Sequence, residues 1–145
     1  MYDCTMQVLQ SKEEALHFNF SSGKAIYLQL AEKLELLIAA GTYKPGDKLP
    51  SVRELALTVK VNPNTIQKSL GLLEEKHLIT TDRTNGKFVT TVRELLNSTK
   101  LAIAKKHAAA FLIKMSDLGL KKSEALALLK EVDANLKGTS HEEET

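Results

Sequence analysis

The chain contains no tryptophan, and aromatic residues make up only 5% of its 145 residues. An aromatic-lined groove for sugars or stacked bases is therefore not expected. Cys4 is the only cysteine, which excludes an internal disulfide framework and a cysteine-based zinc site and fits a reducing compartment. The four histidines lie at least 30 positions apart, so no pair has the spacing of metal ligands on a helix. We expect no metal and no cofactor.

Long apolar runs are absent as well. No stretch of 18 or more apolar residues occurs, so no transmembrane helix is expected, and no basic start followed by an apolar stretch indicates a secretory signal. These absences predict a cytoplasmic protein without a membrane partner. The chain also lacks a nucleophile–base pair, a metal-ligand set and a glycine-rich phosphate loop. We therefore expect no enzymatic activity.

Neither sign of charge dominates, because 20 Lys and Arg residues against 18 Asp and Glu residues leave a net charge of +2. The distribution is less even. Residues 24–91 contain ten basic and seven acidic residues, whereas the chain before them is net negative and the chain after them is nearly neutral. The middle of the chain is thus its basic part, which matters for nucleic-acid binding only if the basic side chains converge on one face.

Three helices are predicted in this basic part. Apolar residues follow a helical spacing over residues 26–40, and Gly41 provides a left-handed C-terminal stop. A turn-rich linker over residues 44–50 precedes the second helix, which begins with the capping-box pattern Ser51-Val52-Arg53-Glu54. The pair Asn62-Pro63 then begins the third helix as N-cap and first helical residue.

Two short strands are predicted at residues 78–81 and 87–90. The pair Asn85-Gly86 between them predicts a hairpin with a type I′ turn, which needs positive φ at both central residues. Helical spacing returns from about residue 92 to a stop at Gly119, and a last helix is predicted over residues 123–136. The fold class is therefore mainly α with a small β-hairpin: a winged helix-turn-helix followed by a two-helix C-terminal region.

The chain accordingly divides into four expected parts. A short helix near Ser11 is the only element indicated in the first part. The parts are an N-terminal extension over residues 1–23, a winged helix-turn-helix domain over 24–91, a helical region over 92–137 and a disordered tail over 138–145.

The polar residues at the start of the third helix are the main functional candidates. In a helix-turn-helix this helix enters the major groove of DNA, and its N-terminal residues meet base edges. Asn and Gln pair with adenine, and Thr hydrogen-bonds or contacts a thymine methyl, while Lys suits a phosphate. The candidates are Asn62, Asn64, Thr65, Gln67 and Lys68. An ordinary solvated helix face is the alternative interpretation.

Two further groups extend this candidate surface. Ser51 and Arg53 lie at the start of the second helix, where unpaired amides favour a phosphate; in the alternative, Arg53 pairs within the chain with Glu54 or Asp47. The wing tip is basic and contains glycine, which suits close approach to a narrow minor groove or to the backbone. Its candidates are Arg83, Gly86 and Lys87, and the alternative here is an ordinary exposed turn.

Residues 25–90 resemble the DNA-binding domain of the GntR family of bacterial transcription regulators. The resemblance rests on KPGDKLPSVRELA at residues 44–56, VNPNTIQ at 61–67, GKFV at 86–89 and IYLQL at 26–30. It implies that Arg53, the start of the third helix and the wing glycine contact operator DNA. Ala25 replaces a common proline of the family. Many members carry arginine where Pro63 or Gln67 stands, so a different base specificity is expected.

The short C-terminal part resembles one subfamily more than others. Only 54 residues follow Thr91, too few for a large effector-binding domain or an aminotransferase fusion of the family. The chain is therefore similar to the YtrA-type members, which implies a two-helix dimerisation region and a repressor of transporter operons. A small-molecule effector, whose identity the sequence does not indicate, would bind between the domains or at a dimer interface.

The apolar residues of the C-terminal helices predict a homodimer, because two helices alone cannot bury them all and a partner copy would complete a bundle. Packing of both helices onto the winged domain of the same chain is the alternative. The expected interface residues are Leu95, Leu96, Ile103, Ala109, Ala110, Ile113, Leu126 and Leu129.

These features together predict a homodimeric repressor that binds a roughly palindromic double-stranded DNA operator. The alternative function is a winged-helix module for protein–protein interaction that does not bind DNA.

Overall fold

The computed structural model describes residues 12–17 and 19–139, which divide after Leu101 into two units. The start of the predicted short helix at Ser11 and the predicted tail beyond residue 139 lie outside these residues. Residues 12–16 are helical, as expected. The further elements are α1 (Ile26–Ala40), α2 (Val52–Val59), α3 (Pro63–Glu75), β1 (Ile79–Asp82), β2 (Gly86–Val89), α4 (Arg93–Asp117) and α5 (Lys122–Thr139).

The predicted end of the first helix is confirmed, and the second helix ends in a similar way. Gly41 ends α1 in the left-handed region at φ 82°, and its N–H donates to the carbonyl of Ile38 at 3.2 Å. Only glycine adopts this conformation without a Cβ penalty. Lys60 ends α2 in the same region at φ 56°, with the N–H of Val61 bonded back to the carbonyl of Ala56. The turn between α2 and α3 is therefore tight.

The apolar faces of α1, α2 and α3 meet in the core of the first unit. Ile26 is the exception among the apolar residues that gave α1 its helical spacing, because at the first position of the helix it remains 43% accessible. The strands and the loop before α2 close the core around the three helices. The large buried residues from these elements are Leu30, Leu34, Leu37, Ile38, Tyr43, Leu49, Leu55, Ile66, Leu70, Leu73, Leu78, Ile79 and Val89.

The N-terminal helical residues pack against this core. Leu16 is buried among the core residues, and the Lys12 ammonium lies 2.9 Å from the Asp47 carboxylate and 5.1 Å from the centroid of the Tyr43 ring. In the described part of the chain, the buried Tyr43 hydroxyl has no hydrogen-bond partner. Burial, and then the nearby Glu13 carboxylate, raise the pKa of Tyr43 to about 12. This phenol therefore stays protonated at neutral pH.

The wing is an antiparallel hairpin in which Asp82 pairs with Gly86 and Ile79 with Val89. The predicted type I′ turn is wrong, because Gly86 has φ 106° whereas Asn85 does not adopt positive φ. The Asp82 carboxylate accepts hydrogen bonds from the N–H and hydroxyl of Thr84 at 3.0 and 2.8 Å. Such a side-chain turn replaces the need for two left-handed residues. The connection thus has three residues instead of two.

The two C-terminal helices leave most of their surface exposed. Within the described residues, Leu96 is the only buried residue of α4, and Ala125 is the only one of α5. Helix α5 extends to Thr139, past its predicted end at residue 136 and through Gly138, which was expected to open the tail. A glycine costs a helix only about 1 kcal/mol, and the ion pair of Lys137 with Asp133 at 2.9 Å stabilises the last turns.

Candidate nucleic-acid interface

The start of α2 forms the predicted capping box. The Ser51 hydroxyl accepts the N–H of Glu54 at 3.1 Å, and the Glu54 carboxylate accepts the N–H of Ser51 at 3.0 Å. Arg53 is exposed between them. Glu54 is engaged in the cap and Asp47 in its pair with Lys12, and no ion pair of Arg53 occurs in the described residues. Neither of the carboxylates expected in the alternative interpretation therefore forms an ion pair with the exposed Arg53 guanidinium.

The start of α3 presents a polar face opposite a buried one. Asn62 caps the helix by accepting the N–H of Asn64 at 2.9 Å, and Pro63 follows at the first helical position. Four predicted contact residues, Asn62, Asn64, Gln67 and Lys68, are exposed, whereas Thr65 is half-buried. Amide and ammonium groups thus line the exposed side of the first turns.

Helix α3 is anchored to α1 beside this polar face. The Ser69 hydroxyl, which is fully buried, donates to the carbonyl of Tyr27 at 2.8 Å. The Lys68 ammonium lies over the Tyr27 ring, 4.0 Å from its centroid, a cation–π contact. These two contacts join α3 to α1 next to the exposed polar side chains.

The wing residues divide into two kinds. Arg83 is exposed in the turn, whereas the Lys87 ammonium is hydrogen-bonded to the carboxylate of Glu74, in α3, and to the hydroxyl of Thr81 at 2.9 Å. The hydrogen bonds from Lys87 and then from Thr81 hold the pKa of Glu74 below its usual range. Lys87 therefore ties the wing to the end of α3.

The loop before α2 is also part of the wing, which the sequence did not indicate. The N–H of Leu49 donates to the carbonyl of Lys87 at 2.8 Å, and the N–H of Val89 donates to the carbonyl of Asp47 at 2.9 Å. Lys48 forms an antiparallel β-bridge with Phe88. The predicted turn-rich linker thus contributes a third pairing segment at the outer edge of β2.

Other kinds of site were also considered in the structure. Among residues 12–17 and 19–139, no group of three or more His, Cys, Asp and Glu side chains is placed to hold a metal ion. No helix in that part of the chain is long and apolar enough to cross a membrane.

A winged helix-turn-helix with such a polar third helix defines the class of winged-helix DNA-binding proteins. The model of the bacterial regulatory proteins of the gntR family matches residues 26–89. The chain belongs to the GntR family.

Two relatives of this chain match it over nearly their whole length. The chain is 39% identical over 111 residues to the uncharacterized HTH-type transcriptional regulator YhcF of Bacillus subtilis, covering 77% of this chain and 92% of that protein. It is 34% identical over 118 residues to the HTH-type transcriptional repressor YtrA of the same organism, covering 81% of this chain and 91% of that protein.

A solved structure supports the fold along most of the chain. The GntR family transcriptional regulator from Listeria monocytogenes matches with a TM-score of 0.73 at 40% identity, covering 77% of this chain and 98% of that one. The chain is therefore a GntR-family transcriptional regulator with a DNA-binding domain, similar to YtrA. The relatives are named as regulators and not as enzymes.

Proposed function

We propose that the chain is a homodimeric repressor that reads a two-fold symmetric DNA operator. The main support is the exposed polar face of α3. Its amide side chains point away from the core, and their donors and acceptors match those of adenine in the major groove. A role on chromosomal DNA also places the protein in the cytoplasm.

Each candidate side chain then has a role that its geometry allows. Asn64 and Gln67 meet base edges, with Thr65 beside them. The caps leave donors for DNA, because the Ser51 hydroxyl and the Asn62 amide use only their oxygens as acceptors in the helix ends. The proposed contact residues are Ser51, Arg53, Asn62, Asn64, Thr65, Gln67, Lys68, Arg83, Gly86 and Lys87.

The roles of the basic residues differ. Arg53 reads a guanine or a phosphate, and Lys68 binds a phosphate next to Tyr27. Arg83 approaches the backbone or minor groove from the wing turn. Because Lys87 is paired with Glu74, we propose that it acts mainly by holding the wing in place, and only secondarily through its charge.

The second unit supports a dimer through an exposed apolar stripe on α5. Leu126, Leu129, Val132 and Leu136 recur at helical spacing, and Leu126 and Leu136 are 57% and 65% accessible. Contiguous exposed apolar surface marks an interaction site, and a second copy is the occupant that also explains a symmetric operator.

Exposed apolar residues of α4 extend the proposed interface. Ile113 is 63% accessible, Ala109 and Ala110 are exposed and Ile103 is half-buried. Leu95 and Leu96 pack in the core of the first unit, so we leave them out of the interface. We accordingly assign residues 24–91 to DNA reading and, of the helical region 92–137, the part after Leu101 to dimerisation.

Repression is supported by the similarity to YtrA, which is named a transcriptional repressor. A dimer bound over a promoter excludes other proteins from the same DNA. The transporter operons implied by the resemblance stay a prediction.

Selection of fragments from random DNA by the purified protein tests DNA reading. We expect enrichment of a two-fold symmetric site whose half-sites lie about 10–10.5 bp apart or a multiple of that. The double variant Asn64→Ala/Gln67→Ala should lose the enrichment, whereas Glu75→Ala, at the far end of α3, should retain it. No enrichment by the wild-type protein would favour the protein-interaction alternative.

Sedimentation velocity tests the dimer. The wild-type protein should sediment as a dimer, and Leu129→Glu/Val132→Glu should sediment as a folded monomer, because two charges cannot be buried without partners. Lys130→Gln, on the same helix, is the matched control and should stay dimeric. A wild-type monomer at all concentrations would contradict the proposal.

A reporter gene tests repression. The selected site is placed over a promoter, and expression is measured with and without the protein. We expect expression to fall with the wild-type protein and to recover with Asn64→Ala/Gln67→Ala. Increased expression with the wild-type protein would make it an activator.

A further inference from the structure

Lys48 is placed in the wing by backbone pairing. It forms a β-bridge with Phe88, while its neighbours Asp47 and Leu49 exchange hydrogen bonds with Val89 and Lys87. Directly opposed residues of an antiparallel pair point to the same face of a sheet, and so do residues two apart in one strand. Lys48, Phe88 and Gly86 therefore share one face of the wing.

The side chain of Lys48 crosses the wing glycine. A Cβ added at Gly86 would lie 3.1 Å from the Cε atom of Lys48 and 3.9 Å from its Nζ atom. The first distance is tighter than ordinary van der Waals contact. Because Gly86 has no side chain, the side chain of Lys48 has room to lie across it.

The ammonium of Lys48 is not neutralised within the described residues. Lys48 is exposed and forms no ion pair there. Three carboxylates of the wing, of the loop before α2 and of the start of α2 are engaged elsewhere: Asp47 with Lys12, Glu54 in the capping box and Asp82 in the wing turn. Lys48 also lines one cavity with Pro50 and Glu54 at the start of α2 and with Glu13 of the N-terminal helical residues. Within the described residues, Glu13 forms no ion pair with Lys48.

We propose that Lys48, seated across Gly86, binds a phosphate of the DNA backbone between the contacts of the wing and of Arg53. The inference rests on the proposed DNA reading. It also gives Gly86 a second part in that reading: besides letting the wing backbone approach DNA, the glycine makes room for the side chain of Lys48.

The salt dependence of binding to the selected DNA site tests the phosphate contact. Each phosphate contact contributes about 0.9 to the slope of log affinity against log salt. Lys48→Met should lower the slope by about that amount, and Lys48→Arg should keep it. Lys44→Met, a matched exposed lysine of the same loop, should leave it unchanged. An unchanged slope for Lys48→Met, or an equal drop for Lys44→Met, would overturn the proposal.

A double-mutant cycle tests the part played by Gly86. Gly86→Ala should weaken DNA binding in the wild-type background and should have a clearly smaller effect on affinity in Lys48→Ala, where its Cβ meets no side chain. Equal losses in both backgrounds would show that the glycine acts without Lys48. Circular dichroism melts verify that each variant is folded at the temperature of the binding measurement, because φ 106° strains alanine at this position. If the wild-type protein binds no DNA, the proposed function fails; if it binds and Lys48→Met binds with the same slope, this inference alone fails.

Discussion

The ammonium group of Lys68 in α3 lies 4.0 Å from the centroid of the Tyr27 ring in α1. The same Tyr27 accepts a hydrogen bond from the Ser69 hydroxyl at its carbonyl oxygen. A charged side chain proposed to contact DNA is thus positioned by an aromatic ring that is not itself part of the interface.

The contact between Lys68 and Tyr27 predicts that substitutions of the two residues have different effects on DNA binding and on stability. Lys68→Met should weaken DNA binding at all sequences alike and lower the salt slope by about 1. Tyr27→Leu should keep the slope and lower the free energy of unfolding by about 0.5–1 kcal/mol, the value of an exposed cation–π contact. Fluorescence anisotropy at several salt concentrations and urea unfolding measure the two effects. An unchanged slope for Lys68→Met would leave Lys68 with a structural role only.

Substitution of Arg53 should weaken DNA binding more than substitution of any other residue of α2. Its guanidinium is exposed and no carboxylate of the described chain neutralises it, so Arg53→Ala should weaken operator binding by about 1–3 kcal/mol if it reads a base. Anisotropy with the selected site and with a random site separates base reading from phosphate binding. Loss of a base contact lowers the preference for the selected site, whereas loss of a phosphate contact weakens binding to both DNAs alike. Unchanged affinity for both DNAs would remove Arg53 from the interface.

The Glu74 network predicts an acid dependence of stability. Hydrogen bonds from Lys87 and Thr81 lower the pKa of Glu74 from its ordinary value of 4.5. The stabilisation is complete above that value and is lost as the pH falls through the lower pKa of the folded state, since the unfolded chain takes up the proton first. Because the carboxylate is partly exposed, we expect a loss of less than about 1 kcal/mol.

Urea unfolding of the wild-type protein and of Glu74→Gln between about pH 6 and pH 3 measures this loss. The difference in stability between the two proteins should shrink toward the acid end. A constant difference over the whole range would contradict the network's role.

Tyr43→Phe should raise the stability of the protein. The buried hydroxyl has no hydrogen-bond partner in the described residues, and an unsatisfied buried donor costs about 1–3 kcal/mol. We expect the free energy of unfolding to rise by about 1 kcal/mol or more at neutral pH. A decrease, measured by urea unfolding, would indicate that the hydroxyl has a stabilising partner.

The same residue predicts an alkaline dependence. In the unfolded chain Tyr43 ionises near its ordinary value of 10.0, whereas in the folded protein its pKa is about 12. The free energy of unfolding therefore falls further as the pH rises from 10 toward 12, because only the unfolded chain loses the Tyr43 proton in that range. Tyr43→Phe should lack this part of the alkaline loss, and an identical loss in both proteins would contradict the assignment.

Leu16 should contribute as much to the stability of the first unit as a core residue of α1, α2 or α3. It is 2% accessible and packs in the core, so Leu16→Ala should lower the free energy of unfolding by about 2–5 kcal/mol. Glu14→Ala, an exposed neighbour on the same helical turn, should change it by less than about 0.5 kcal/mol. Equal melting temperatures for the two variants would show that the N-terminal residues do not belong to the folded core.

Three boundaries of the first helices were predictable because their signals are local. Gly41 ends α1, the box of Ser51 and Glu54 starts α2, and Asn62 with Pro63 starts α3, each through contacts within a few residues. The exposed face of α3 followed from the same periodicity that located its buried face.

The wing was predicted less well because its details depend on competing or distant contacts. Asn85-Gly86 is a strong signal for a type I′ turn, but the Asp82 carboxylate forms hydrogen bonds that favour a longer connection. The pairing of Lys48 with Phe88 joins residues 40 positions apart in the chain, and nothing near Lys48 in the sequence specifies that partner. The ion pair of Lys87 with Glu74 could not be predicted either, because nothing near Lys87 in the sequence specifies a partner in α3.

The burial of Leu16 has a practical consequence for protein engineering. The family match begins at residue 26, which is where a chimeric regulator or a sensor fusion would ordinarily be cut. Such a cut would uncover the apolar surface beneath Leu16 and release Asp47 from Lys12, and exposed apolar patches promote aggregation. A transplantable and soluble DNA reader from this protein therefore begins no later than Lys12.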